Sequence, residues 1–222
     1  MTVAIASGGI DISIGPVMAL SAIVFAKLLD HSVIMALIAA LGLAILCGTV
    51  NGFIIAKFSI QPMIVTLGMM NMVRGFAELV NDGRTYSFMH PVMSNIGFYK
   101  IGGAVPIQAA VIADFCRPYV YISLKKMRFG AYVEAMGDNL KAARLSGIHI
   151  SRMLILIYIL SGLMAGLAGL AEAVRMSAAD PINFGLQIEV DAIAATAIGG
   201  TNMAGGKANL AGTVAGVFIM QI

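Results

Sequence analysis

The residues able to do chemistry stand in unusual company. Asp11, Glu189 and Asp191 border apolar runs, where a carboxyl group is costly and marks a functional site or a structural partner. Asp11 lies in Gly8-Gly9-Ile10-Asp11-Ile12-Ser13-Ile14-Gly15. No flanking pattern makes Asp11 and Asp191 an aspartyl dyad. Ser161-Gly162 is similar to the nucleophile site of a serine intramembrane protease, but Ile159 stands where a glycine is needed. No histidine lies in a later span to activate that serine. Gly206-Lys207 is similar to the end of a nucleotide-binding loop. Thr201 occupies the place of the first glycine, and Ala208 that of the Mg²⁺-binding hydroxyl, so the chain is not expected to bind ATP itself. His31, His90 and His149 are scattered without zinc spacing, and Cys47 and Cys116 read as small buried hydrophobes. No metal or cofactor site is expected, and no bond-making constellation emerges.

The elements that must hold these residues follow from composition. Of 222 residues, 59% are hydrophobic and 11% charged, with mean hydropathy +0.93. An ordinary soluble domain has about 45–50% apolar and about 25% charged residues. This balance excludes a cytosolic enzyme, a nucleic-acid binder and a disordered chain. It predicts an all-α, polytopic transmembrane bundle in the lipid bilayer. The net charge of +3 comes from 14 basic and 11 acidic residues, and tryptophan is absent, leaving Tyr and Phe for the interfacial belts.

A spanning helix needs about 20 mostly apolar residues. Ser32–Ala56 and Met153–Ala171 carry no formal charge and are predicted to cross. Ile14–Leu29 opens with Gly15-Pro16, and Pro62–Leu79 also starts on proline, which suits a first helical turn. Residues 106–124 form an interrupted span containing Asp114, Arg117 and Pro118. Ile188–Ile198 is too short to cross, and Gly199-Gly200 and Gly205-Gly206 interrupt the chain before an apolar run from Leu210. Broken segments at membrane depth survive only inside protein or beside a water-filled cavity.

Orientation follows from basic residues. Lys125, Lys126, Arg128, Lys141, Arg144 and Arg152 crowd the loop at 125–152, which is therefore predicted to be cytoplasmic. The loop at 82–105, Asp30-His31 and Asp180-Pro181 then lie outside, and Lys57 inside. Within the basic loop, Asn139–Leu145 is a short predicted helix, with Asp138 as N-cap and Gly147 as C-terminal stop. Leu140, Ala143 and Arg144 fall at i, i+3 and i+4 and suit docking into a groove on a soluble partner. On periodicity alone a surface helix that only joins two spans is the favoured reading.

Residues 199–206, Gly199-Gly200-Thr201-Asn202-Met203-Ala204-Gly205-Gly206, echo residues 8–15, which suggests either a duplicated architecture or chance in a chain with 25 glycines. Gly48/Gly52, Gly162/Gly166 and Gly212/Gly216 are small-xxx-small pairs expected to pack helices. Arg74 and Glu78, four apart, are expected to form a local ion pair. Glu172 and Arg175 are expected at the interface. Glu189 and Asp191 fit either an external vestibule or a helix start.

The run Gly8-Gly9-Ile10-Asp11-Ile12-Ser13-Ile14-Gly15 resembles the signature of ribose-type sugar ABC permeases, within the branched-chain amino acid/ribose permease superfamily. Four more stretches match that family in order: Asn51-Gly52; Thr66-Leu67-Gly68-Met69-Met70 with Arg74-Gly75; Gly137-Asp138-Asn139 with Ala142-Ala143-Arg144-Leu145-Ser146-Gly147-Ile148; and Asp191-Ala192-Ile193-Ala194-Ala195 with Ile198-Gly199-Gly200-Thr201. The resemblance covers most of the chain. It implies a single transmembrane permease domain over 1–222, truncated at both ends so that Met1 is an internal methionine, in a bacterial inner membrane. It implies a coupling helix at Gly137, Asp138, Asn139, Leu140, Ala142, Ala143, Arg144, Leu145, Ser146 and Gly147 that docks an ATP-hydrolysing subunit. It further implies a second permease subunit, a periplasmic sugar-binding protein that delivers a monosaccharide, and ATP used by the partner. The span at 106–124 departs from the family's cleaner apolar pattern.

The expected function is thus the membrane-spanning subunit of an ATP-driven monosaccharide importer, not an enzyme. Asp11, Ser13, Asn51 and Asn202 are the candidate polar residues of its pathway. An ion-coupled secondary transporter with Asp11 or Asp191 as coupling carboxylate stays open on the residues alone, as does an intramembrane enzyme.

Overall fold

The computed structural model describes residues 1–90, 93, 97, 99–101, 105–106 and 127–220. The predicted span at 106–124, with Asp114, Cys116, Arg117 and Pro118, lies outside the described residues apart from Pro106. So do Lys125 and Lys126.

The described helices are α1 (Thr2–Ala6), α2 (Ile14–Leu28), α3 (Val33–Phe58), α4 (Pro62–Val80), α5 (Arg128–Asp138), α6 (Leu140–Leu145), α7 (Ile150–Met176), α8 (Ile188–Ile198) and α9 (Leu210–Met220). Four two-residue strands complete them: β1 (Tyr86–Ser87), β2 (Lys100–Ile101), β3 (Val105–Pro106) and β4 (Ala178–Ala179). β1 pairs antiparallel with β4, placing Tyr86 opposite Ala179, and β2 pairs antiparallel with β3. The all-α expectation holds. The four predicted spans that fall within the described residues recur as helices with ends shifted by a few residues.

Three helices among the described residues are long and apolar enough to cross a membrane: α3, α4 and α7, with mean hydropathies of 2.6, 1.3 and 2.2. Pro62 starts α4 at its first turn, where the missing N–H costs nothing. α2 is shorter, 15 residues or about 22 Å, and nearly every side chain on it is buried. It is apolar all round, as a helix enclosed by others must be.

α7 packs against α3 and α2, and glycine sets the approach. A Cβ at Gly48 would fall on the Tyr158 carbonyl oxygen, one at Gly162 on the Ala44 carbonyl oxygen, and one at Gly52 2.6 Å from Ile155 Cα. α3 therefore runs antiparallel to α7 with backbones nearly touching. Gly169 likewise seats α7 on the Met18 carbonyl of α2, while Gly212 and Gly216 seat α9 on Gly199 and Ala195. The small-residue pairs pack helices, as expected. Without a hydrophobic drive in lipid, such close packing is what holds helices together.

Two apolar clusters result. One joins α2, the first half of α3, α4 and the second half of α7 with Phe88 and Phe184. The other joins α1, α5, Ala143 of α6 and the first half of α7 with Ala208. The remaining sides of α3 and α4 carry exposed Ile34, Ile38, Phe53, Ile64, Met72 and Phe76, a surface suited to lipid.

Candidate functional site: a buried polar junction and a surface helix

Both glycine-rich stretches stop a helix in the same way. At the end of α1, Gly8 N–H donates to the Ile5 carbonyl and Gly9 N–H to the Ala4 carbonyl, each at 2.9 Å. At the end of α8, Gly200 N–H donates to the Ala197 carbonyl at 2.9 Å and Thr201 N–H to the Thr196 carbonyl at 3.2 Å. This is the Schellman pattern, which needs a left-handed residue, and Gly8 and Gly200 supply it at φ +83° and +79°. An Asx turn follows each stop: Ser13 N–H donates to Asp11 Oδ1 and Ala204 N–H to Asn202 Oδ1. Both stretches thus use the same backbone device, one residue out of the register of the sequence echo: the left-handed glycine is the first of the pair at Gly8 and the second at Gly200.

The first break is tied to three neighbouring helices by side chains. Asp11, Ser13 and Asn51 are 1%, 2% and 0% exposed. Ser13 hydroxyl donates to Asp11 Oδ1 at 2.6 Å, Ser161 hydroxyl of α7 donates to Asp11 Oδ2 at 2.6 Å, and Asn51 Nδ2 of α3 donates to Ser13 Oγ at 3.0 Å. Thr66 hydroxyl of α4 donates to the Ile10 carbonyl at 3.2 Å. A buried polar group needs such partners, and here α3, α4 and α7 provide them. Asn51 Oδ1 and Tyr158 OH remain buried without a partner among the described residues. Gly9 lies under the Tyr158 hydroxyl, which a Cβ there would meet at 2.7 Å.

The structure thus brings together Asp11, Ser13 and Asn51. It leaves Asn202 exposed at the second break, engaged only in its own turn. Ser161, Tyr158 and Thr66 were not expected there. The sequence signal for Ser161 is a hydroxyl in the middle of an uncharged span, which bonds either the carbonyl four residues back or a partner on another helix.

The basic loop folds as α5 and the six-residue α6. Its N-cap is Asn139, one residue later than the expected Asp138, which is still helical as the last residue of α5. Asn139 has the extended backbone that a cap needs, and its Oδ1 accepts from the N–H groups of Lys141 and Ala142, each at 3.0 Å. Gly147, at φ +84°, ends α6 as expected. Gly147 N–H donates to the Arg144 carbonyl at 3.1 Å and Ile148 N–H to the Ala143 carbonyl at 3.2 Å. Ala143 is 3% exposed and anchors α6 in the second cluster, whereas Leu140 is 46% and Leu145 90% exposed. Ala143 therefore does not share the outward face, which carries Leu140, Lys141, Ala142, Arg144 and Leu145. Ser146 hydroxyl bonds back to the Ala142 carbonyl. Gly137 faces inward, onto the Ala6 carbonyl and Gly206 N.

At the opposite end of the bundle, the expected ion pair between Arg74 and Glu78 does not form. Arg74 Nη1 instead donates to the carbonyls of Pro181, Ile182 and Phe184 at 3.0, 3.3 and 2.8 Å. One guanidinium satisfying three loop carbonyls gains more than an exposed pair. Glu172 and Arg175 do pair, at 2.5 Å. Glu189 and Asp191 occupy the first turn of α8, where the helix dipole favours them. Partial burial pushes the Asp180 carboxyl up, but donors from Asn183, Ile182 and Thr85 outweigh it and hold the group below its ordinary 3.8. Among the described residues, no group of three or more His, Cys, Asp or Glu side chains could hold a metal ion.

The family model described as the permease component of branched-chain amino acid transport systems matches residues 1–222. The galactofuranose transporter permease protein of Escherichia coli strain K12 is 38% identical over 224 residues, covering 100% of this chain and 65% of the relative. The ribose import permease protein of the same strain is 37% identical over 224 residues, covering 99% of this chain and 70% of the relative. The fructose import permease protein of Rhizobium meliloti is 32% identical over 231 residues, covering 100% of this chain and 64% of the relative. The chain therefore spans about two thirds of the length of these relatives. No solved structure gives a significant match.

Proposed function

The chain belongs to the family of permease components of branched-chain amino acid transport systems, and on that premise we propose that it is the membrane-spanning subunit of an ATP-driven monosaccharide importer. The names of its relatives, permeases for galactofuranose, ribose and fructose, support a sugar as cargo. The observation that carries the reading is the geometry of α6. It is capped at both ends, fixed by one inward residue, and turns Leu140 and Leu145 outward beside Lys141 and Arg144. A short, rigid, amphipathic helix with a basic rim suits a groove on a soluble partner.

In this reading the partner is an ATPase subunit gripping α6 on the cytoplasmic side of a bacterial inner membrane. A second permease subunit completes the pathway, and a periplasmic sugar-binding protein delivers the cargo. ATP is bound and hydrolysed by the partner. The permease changes no bond. It alternates between outward and inward openings as the partner's contacts favour one state over the other. The two broken segments border the pathway. Asp11, Ser13 and Asn51 hold the first break in shape, and Asn202 offers a polar group at the second. Few polar groups suffice, since a sugar must bind and then leave.

The test is co-purification of the ATPase with the full-length permease. Leu140→Asp places a charge on the docking face. Gly147→Pro demands φ near −65° where the backbone is at +84°, and so unmakes the end of α6. Both are expected to lose the ATPase while the permease still inserts. Retention of the ATPase by both variants would refute the assignment. Uptake driven by an ion gradient without any ATPase would favour a secondary transporter instead.

A further inference from the structure

We propose that Glu134 and Gly137 are positioning residues that bind α5, and through it the docking helix α6, to both broken segments at once, so that a displacement of α6 reaches the two breaks as motion of one body. The proposal rests on the importer reading and adds the route by which the docking helix acts.

Three backbones meet at the end of α5 with no side chain between them. Gly206 N–H donates to the Ala6 carbonyl at 2.9 Å, joining the second break directly to the last residue of α1. Gly137 closes over that bond: a Cβ there would fall on both the Ala6 oxygen and Gly206 N. A Cβ on Gly205 would lie 2.9 Å from the Gly137 carbonyl oxygen and 3.0 Å from its Cα. Gly205 and Gly206 take φ of +101° and +97°, which side chains rarely allow.

Glu134, one turn before Gly137 on α5, makes the only side-chain bond from α5 to the second break among the described residues. Its Oε1 accepts the Ala208 N–H at 3.2 Å, just ahead of α9. Thr2 hydroxyl donates to Thr213 Oγ1 at 3.1 Å, tying α1 to α9 on the same side. α5 passes to α6 through the single residue Asn139, whose N–H is itself held by the Ala135 carbonyl at 3.1 Å. A pull on α6 therefore has little slack before it reaches residues 6 and 206. Close-packed contacts transmit displacement because they cannot deform continuously.

The experiment uses the full-length permease with its ATPase and sugar-binding protein in proteoliposomes. Glu134→Gln keeps the acceptor oxygen, and Glu134→Ala removes it. Glu134→Ala is expected to lower ATP-driven uptake about tenfold while the ATPase co-purifies as in the parent, and Glu134→Gln to stay within about twofold. Parent-like uptake by Glu134→Ala would overturn the proposal, as would an equal loss in Glu134→Gln or loss of the ATPase from Glu134→Ala. A second measurement does not depend on the removed bond. In E134C/A208C, with Cys47 and Cys116 replaced by alanine, a short dithiol-reactive bridge is expected to leave uptake intact, because the bridged segments move together. Arrest of uptake on bridging, relieved by reductant, would show that they slide past each other and would refute the link. Failure of the importer reading is distinguishable, because the parent itself would then retain no ATPase. The bond is then read in the permease alone: amide exchange at 199–209 is expected to quicken in Glu134→Ala and not in Glu134→Gln, and equal exchange in the two would refute it.

Discussion

Replacing Asp11 by alanine removes the acceptor on which three donors converge: the Ser13 N–H at 3.1 Å and the Ser13 and Ser161 hydroxyls at 2.6 Å. Each buried donor left unsatisfied costs about 1–3 kcal/mol. Two effects reduce the sum. A helical serine can turn its hydroxyl to the carbonyl four residues back, which for Ser161 is that of Ile157. Measured side-chain bonds between membrane helices also average only about 0.6 kcal/mol, with a maximum near 1.7. The expected loss for Asp11→Ala is therefore about 3 kcal/mol, against about 1 kcal/mol for Ser161→Ala, which breaks one bond and strands none of the other donors. Each kcal/mol shifts the midpoint by about 2–4 °C for 150–250 residues and by less for a longer chain, so in the full-length permease Asp11→Ala should unfold about 4–8 °C below the parent. The assay is thermal unfolding of the full-length permease, with Cys116 replaced by alanine, in detergent with a thiol-reactive dye, since Cys47 is buried in the first apolar cluster and labels as the helices part. The double variant Asp11→Ala/Ser161→Ala should unfold close to Asp11→Ala, because the two share one bond. A midpoint for Asp11→Ala within about 2 °C of the parent, or a cost for Ser161→Ala equal to it, would refute the junction as a stabilising element.

Two further outcomes follow from the packing and from the loop beyond α7. Gly48→Leu, which drives a side chain into the Tyr158 carbonyl, should abolish a monodisperse size-exclusion peak, whereas Gly42→Leu on the same helix, where a Cβ meets nothing within 4 Å, should leave it unchanged. If both variants elute alike, the α3–α7 contact is not what glycine protects. Asp180 is held below 3.8 by its donors, so its contribution is full above its ordinary value and is lost as pH falls through the lowered one. The amides of Ile182 and Asn183, which donate to Asp180 Oδ1 at 2.9 Å, should stay protected from exchange at pH 5 and lose protection only below about pH 4. Protection that fails near neutrality would contradict the assigned bonds.

The helices α3, α4 and α7 were legible because a membrane helix satisfies its own backbone and must be mostly apolar along its length, which is a local property of the chain. The breaks at Gly8 and Gly200 and the stop at Gly147 were legible for a related reason: left-handed backbone favours glycine, although Ser59 and Ser177 adopt it at the ends of α3 and α7 without any such signal. Capping was nearly legible. Asp138 and Asn139 both have side chains that can cap, and only the backbone fixed the choice, since α5 carries its helical conformation through Asp138.

Partnership was not legible. Nothing in the spacing of Arg74 and Glu78 discloses that the loop at 181–184 folds over α4 and offers three carbonyls. Asp11 and Ser161 are 150 residues apart, and each alone looks like a costly polar residue in an apolar stretch. The amino-acid order determined where helices form, where they break and which short helix carries a basic rim, because each depends on neighbours within a turn or two. Which break touches which helix, that Asn202 stands apart from Asp11, and that Glu134 reaches Ala208 were decided by the tertiary fold, because these contacts depend on how separate helices approach, as where Gly48 of α3 meets Gly162 of α7.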